Sequence, residues 1–249
     1  RQRQMCIRDR NQFGRATKVL GDTDSAAPAN SVRERLLPEP SALIREQFVG
    51  ADERHDLFLT AFCRAWFEAT GVSRCAVTLE SHGRGSMTAP SLETGTVGWF
   101  TVRTPVVLET DSELSIWDDR QQVRSRLDER PCSGQDFGLL RYLCENCVIK
   151  EQFSDFPEPL VRFVYRGKMD ERFRRSDHFK VIDVRVSRPN RSSPRPAQLS
   201  ETSVFVREQA DTFVIDIEHL EGSAYGGAVP TPAMLTKLML QELRGVEPV

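Results

Sequence analysis

The chain has no apolar run of the roughly eighteen residues that a membrane-spanning helix needs. It also lacks the charged-then-apolar opening of a secretory signal, so a cytoplasmic protein with no membrane partner is the expectation. No phosphate-cradling glycine loop, no nucleophile elbow and no paired metal-ligand histidines are present, which removes three common enzymatic readings. Nor is there an excess of positive charge: 34 basic residues face 36 acidic ones, for a net charge of -2. The first ten residues read as an artefactual leader and are set aside from fold reasoning. Without their four arginines and one aspartate the count is 30 basic against 35 acidic, a net charge of -5 that argues against a nucleic-acid partner.

What is present is an ordinary globular composition. At 39% hydrophobic and 28% charged residues, 249 positions suffice for one well-buried domain. The six cysteines do not form a framework. Cys63 and Cys75 fall in apolar periodic segments, where thiols behave as small hydrophobes. Cys144-Glu145-Asn146-Cys147 has a tempting spacing, but a zinc ribbon needs a second matching pair, so buried or half-buried structural thiols are expected.

Residues 11–30 are rich in Gly, Ala, Ser and Asp without sustained periodicity, so 1–30 is read as a disordered or artefactual leader and 31–249 as the domain. Leu57, Ala61, Ala65 and Ala69, flanked by Phe58, Phe62 and Trp66, predict a helix over 51–70 that Gly71 ends. Cys75, Val77 and Leu79 then alternate with Ala76, Thr78 and Glu80, the period of a strand. A second helix is expected from about 111 or 112, with Ile116, Val123 and Leu127 on one side and Pro131 closing it. Further strands are expected at 160–165, 180–186, 203–207 and 213–217, with a surface loop at 187–196. Near the C-terminus Thr231 can cap a helix that has Pro232 at its first position, Leu235, Leu238 and Met239 inward, and Gly245 as its stop. Helices and strands alternate without repeats, which predicts a layered α/β sandwich.

The chemistry concentrates in Leu79-Glu80-Ser81-His82-Gly83-Arg84, followed by Thr96-Val97-Gly98-Trp99-Phe100-Thr101. A carboxylate, an imidazole and a guanidinium stand there beside glycines. By residue type alone, Glu80 and Arg84 equally suit an ion pair that braces a loop. The two stretches resemble the Leu-Glu-Gly-His-Gly-Arg-Glu and Thr-Val-Gly-Trp-Phe-Thr signatures of epimerization domains in nonribosomal peptide synthetases, within the condensation-domain superfamily. Phe137-Gly138-Leu139-Leu140-Arg141-Tyr142 is similar to the family's Tyr-Gly-x-Leu-Arg-Tyr. Phe163-Val164-Tyr165-Arg166-Gly167-Lys168-Met169-Asp170 keeps the spacing of its Phe-Asn-Tyr-Leu-Gly-Gln-Phe-Asp. Ser81 stands in place of a family glycine, Gly85 in place of the second glutamate and Val164 in place of the asparagine.

The resemblance implies a chloramphenicol-acetyltransferase-like lobe with a mixed sheet and packed helices. It also implies inversion of the α-carbon of a carrier-bound aminoacyl or peptidyl thioester by two-sided acid/base catalysis. In that chemistry one group removes a weakly acidic proton, another returns one to the opposite face, and nearby donors stabilise the enolate-like charge. Glu80, Arg84 and Tyr165 match the family's catalytic positions. His82 and Gly83 are expected to order the loop, and Gly98 and Trp99 to pack in the scaffold. No cofactor is expected to bind directly; phosphopantetheine belongs to a partner carrier domain. The family's N-terminal lobe supplies a His-His-x-x-x-Asp-Gly motif, whereas His55, His82, His178 and His219 are all isolated. The chain is therefore expected to be the C-terminal lobe alone, a fragment whose partners are an N-terminal lobe and a peptidyl carrier domain. A condensation-type lobe that forms peptide bonds, a degenerate lobe that only binds the carrier, and a generic acyltransferase are the alternatives.

Overall fold

The computed structural model describes residues 29–83, 97–111, 113–130, 134–154, 156, 159–168, 202–209, 211–220 and 229–246. The strand expected at 180–186, the loop at 187–196 and the leader up to residue 28 lie outside them. Six strands form one mixed sheet: β1 (Ala29–Arg35), β2 (Arg74–Ser81), β3 (Val102–Glu109), β4 (Val161–Lys168), β5 (Thr202–Gln209) and β6 (Thr212–Leu220). Their order is β1-β6-β5-β4-β2-β3, with β2, β4 and β5 parallel to one another and the other pairs antiparallel. Among the described residues five helices accompany it: α1 (Pro38–Gln47), α2 (Ala51–Thr70), α3 (Ile116–Asp128), α4 (Cys147–Ser154) and α5 (Pro232–Arg244). Between α3 and α4 a short turn at Asp136–Gly138 runs into a π-helical turn at Leu139–Leu143. The expected α/β sandwich with a mixed sheet is the one found.

Local sequence sets the helix limits. The Gly50 N–H donates to Glu53 Oε2 at 3.0 Å at the start of α2, and Gly71, at φ 70°, closes its end in the left-handed conformation that glycine adopts without a Cβ clash. Thr231 caps α5 by accepting from Met234 N at 3.3 Å, ahead of Pro232. Ser115 caps α3 in the same way from Asp118 N at 3.2 Å.

The core lies on one side of the sheet. Phe58 and Phe62 of α2 meet Val77 and Leu79 of β2, Phe163 of β4, Val206 of β5, Phe213 and Ile215 of β6, and Leu235 and Met239 of α5. Leu57, Phe58, Leu59, Ala61 and Phe62 are all buried because α2 is walled by the sheet, α3 and α5 together. Its centre therefore has no solvent face, which a single amphipathic stripe would have left. Cys63 and Cys75 are buried free thiols within this core, and burial pushes the Cys75 thiol well up. Arg64 links the three helices: its Nε donates to Glu242 Oε2 at 2.7 Å and its Nη1 to the fully buried Asp119. The other side of the sheet carries a small cluster of Ala76, Val107 and Phe156 with Phe137 packed on it. Among the described residues no helix is long and apolar enough to cross a membrane.

Candidate functional site

Alternation along β2 decides where its chemistry points. Cys75, Val77 and Leu79 enter the helix-covered core, so Thr78 and Glu80 project from the opposite face. Glu80 is the penultimate residue of β2, one position past the Leu79↔Phe163 pair and so level with Val164 and Phe205, midway along β4 and β5. Its side chain is 16% exposed and bridged by two guanidiniums. Arg103, its register partner on β3, donates from Nε to Oε1 at 2.9 Å, and Arg162 Nη1 reaches the same oxygen at 3.4 Å. Arg162 comes from β4 through the register Thr78↔Arg162, two positions before Glu80 on β2.

After Ser81 the chain leaves the sheet through His82 and Gly83. Gly83 has φ 61°, and a Cβ there would lie 1.9 Å from the Phe100 carbonyl oxygen and 2.7 Å from Val102 Cγ2. Only glycine allows the incoming and outgoing limbs of this connection to lie so close. Gly98 is less demanding, since a Cβ would meet the Phe100 ring edge at 3.1 Å. Trp99 corrects the sequence reading. It is 90% exposed rather than packed, because it precedes β3 beyond the end of the sheet, where no described element covers it. Arg84 and Gly85 lie outside the described residues.

Tyr165 does not face Glu80. It shares its side of β4 with Phe163, and its ring lies 6.2 Å from Phe58 and 6.3 Å from His55, on the α2 side of the sheet. Burial pushes its hydroxyl up to about 12, against the charge and hydrogen bond of Arg54. Val164, where the family pattern has asparagine, alternates onto the Glu80 side. The position of the missing amide and that of the retained phenol are thus on opposite faces.

A cavity of about 320 Å³ opens on the Glu80 side. Its walls are Val102, Pro105, Phe137 and Leu139, with Thr78, Gln135, Tyr142 and both arginine partners of Glu80 supplying polar groups. The segment singled out as Phe137 to Tyr142 is therefore one wall of this cavity. Arg103 and Arg162 were not singled out in the sequence. Each is an isolated basic residue in a strand, and only the pairing register brings both to one carboxylate. Among the described residues no group of His, Cys, Asp and Glu side chains is arranged to hold a metal ion. The chemistry on offer is a carboxylate bridged by two guanidiniums that line a cavity, groups of the kind used for proton transfer beside a developing oxyanion.

No family profile matches the chain. It is 30% identical over 186 residues to a linear gramicidin synthase protein of Brevibacillus parabrevis, an alignment covering 74% of this chain and 2% of that protein. It is 36% identical over 119 residues to surfactin synthase subunit 1 of Bacillus subtilis (strain 168), covering 48% of this chain and 3% of that one. The chain thus spans a small part of the curated relatives it matches. Among solved structures it is similar to the epimerization domain from the third module of tyrocidine synthetase B. The TM-score is 0.67 at 18% identity, over 92% of this chain and 52% of that one. A condensation domain that mediates chain release from the enacyloxin polyketide synthase superposes with TM-score 0.61 at 12% identity, over 98% of this chain and 47% of that one.

Proposed function

Because the chain is by fold a lobe of a condensation-superfamily domain and in sequence a relative of nonribosomal peptide synthetase subunits, we propose that it is the C-terminal lobe of an epimerization domain. In the intact parent it inverts the α-carbon of a carrier-bound aminoacyl or peptidyl thioester. The observation that carries this reading is the Glu80 carboxylate held by Arg103 and Arg162, both of which line the cavity. Glu80 exchanges the α-proton on one face; the second acid/base group comes from a histidine of an N-terminal lobe, so the chain alone is inactive. Arg84, with Arg103 and Arg162, supplies cationic donors for the enolate-like charge. Tyr165, packed on the α2 side, is assigned a positioning part, as are His82 and Gly83. The substrate arrives on the phosphopantetheine of a peptidyl carrier domain, in the cytoplasm, without nucleic acid or membrane.

The deciding experiment uses the two-lobe parent and an L-aminoacyl carrier protein deuterated at the α-carbon. Wild type is expected to wash out deuterium, and Glu80→Gln to slow washout by about a hundredfold or more, the scale of a lost general acid/base. Unchanged washout in Glu80→Gln overturns the catalytic role in favour of a lobe that only docks the carrier. Peptide-bond formation without any washout favours the condensation reading.

A further inference from the structure

The two guanidiniums on Glu80 are held differently. Arg162 has no nitrogen left to offer: its Nη1 reaches Glu80 Oε1, its Nη2 donates to Ser203 Oγ at 3.2 Å, and its Nε is buried. The Phe205 ring lies 5.1 Å from the centre of the guanidinium, and the side chain is only 17% exposed. Ser203 is the register partner of Arg162 and Phe205 that of Val164, so both leave β5 on the face that carries Glu80. A planar fork fixed in this way holds a carboxylate but cannot turn to a ligand.

Arg103 is the opposite case. Its side chain is 42% exposed and lines the cavity, with Nε committed to Glu80. Its Nη1 and Nη2 donate to none of the described residues. The carboxylate is divided as well. Both guanidiniums sit on Oε1, whereas Oε2 accepts from none of the described residues and is not among their buried unanswered atoms, which leaves it open to solvent.

We propose that the two arginines have separate parts: Arg103 is the donor that meets the substrate, and Arg162, set by Ser203 and Phe205, is a positioning residue that holds Glu80 by Oε1 so that Oε2 exchanges the proton. This rests on the proton-exchange role of Glu80. Oε2 takes the α-proton, the C–H electron pair moves onto the thioester carbonyl oxygen, and that oxygen accepts from Arg103 Nη1 and Nη2. The proton on Oε2 passes to water, and another returns to the α-carbon from the group of the N-terminal lobe.

Two measurements test this division. In the 249-residue chain, phenylglyoxal labelling mapped by peptide mass spectrometry is expected to be several-fold faster at Arg103 than at Arg162, and Ser203→Ala to speed labelling of Arg162 but not of Arg103. Equal rates, or the reverse order, overturn it. In the two-lobe parent, deuterium washout from the L-aminoacyl carrier protein is followed for single and paired variants. Arg103→Gln is expected to lower kcat about a hundredfold with KM little changed, the signature of a donor used only in the transition state. Methylguanidinium should restore part of that rate, because the vacated place opens on the cavity. Ser203→Ala is expected to lower kcat about fivefold, the scale of one hydrogen bond, and Ser203→Thr to restore it. In an Arg162→Gln background Ser203→Ala should have no further effect, since Ser203 acts through Arg162 alone. Unchanged kcat in Arg103→Gln sinks the donor role, and additive losses in the Ser203 and Arg162 pair sink the positioning role. If Glu80→Gln still slows washout, either result spares the role of Glu80; if it does not, both proposals fall.

Discussion

Asp119 is the point at which the helical layer is most exposed to a single change. It is fully buried at the start of α3 and receives Arg64 Nη1 from α2, while its Oδ1 accepts from Asp111 N at 3.1 Å. Arg64 also donates to the Leu114 carbonyl at 2.9 Å and to Glu242 of α5, so α2, α3 and α5 share one guanidinium. Asp119→Ala removes the buried carboxylate and leaves both the guanidinium and the Asp111 N–H under-answered, at a cost of about 3–5 kcal/mol. Asp119→Asn keeps an oxygen for the Asp111 N–H but loses the charge-assisted bond to Arg64, costing about 1.5–3 kcal/mol. For a domain of this size each kcal/mol moves the melting temperature by about 2–4 °C, so Asp119→Asn is expected to lower it by roughly 3–12 °C. The double change Arg64→Met, Asp119→Leu removes the two most buried charges and leaves Glu242, which is 20% exposed, to water; it is expected to be more stable than Asp119→Ala, since the larger desolvation penalty goes with the buried pair. Thermal unfolding followed by circular dichroism measures all three. A melting curve for Asp119→Ala that overlays the parent would refute the reasoning, as would a double variant less stable than that single one.

Two further changes probe the sheet and the loop. The Tyr165 hydroxyl titrates near 10 in the unfolded chain and about 12 in the folded one, so the unfolded state ionises first. Stability present below pH 10 is therefore lost as pH rises toward 12; at 1.36 kcal/mol per pH unit the loss is at most about 2.7 kcal/mol, and partial exposure cuts it to about half. Denaturant titrations at pH 9 and above should show a shallower decline for Tyr165→Phe than for the parent, and equal slopes would count against the burial argument. Gly83→Ala costs about 1–2 kcal/mol if the positive φ is held, and its Cβ must also push back the Phe100 carbonyl. It is expected to lower the melting temperature more than Gly98→Ala, whose Cβ meets only a ring edge; the reverse order would refute the close-approach reading.

Elements that carry their own signal were legible in the sequence. The α2 stripe, with Gly71 after it, fixed that helix end to end, and Thr231-Pro232 with Gly245 did the same for α5. Strands β1 and β3 and helices α1 and α4 were not legible. β1 reads Ala-Asn-Ser-Val-Arg-Glu-Arg because it lies at one edge of the sheet, and its Arg33 serves the Asp216 carboxylate of β6 rather than the core. β3 contains Pro105, which argues against a central strand and is tolerated here because β3 forms the other edge. At the site, Glu80 could be singled out from its neighbours in sequence. Its cationic partners Arg103 and Arg162 depend on strand register, which no local pattern encodes.

The pleat of the sheet separates stability from chemistry residue by residue. Leu79 and Glu80 are adjacent, yet one side chain closes the core under α2 and the other joins Arg103 and Arg162 at the cavity. The same division holds on β4, where Phe163 and Tyr165 serve the core and Arg162 and Val164 the opposite side, and on β5, where Val206 packs inward and Arg207 pairs with Asp216 across the other face. Buried ion pairs of this kind stabilise little relative to apolar side chains of the same size, because desolvation offsets most of their attraction. A face built from them is poorly explained by stability alone. It gathers Glu80 and Arg103 with Thr78 and Arg162, the second residue of β4, beside one cavity. On the proposed reading, the charges on this side are the cost of a binding surface, and the hydrocarbon on the other side is what holds that surface in register.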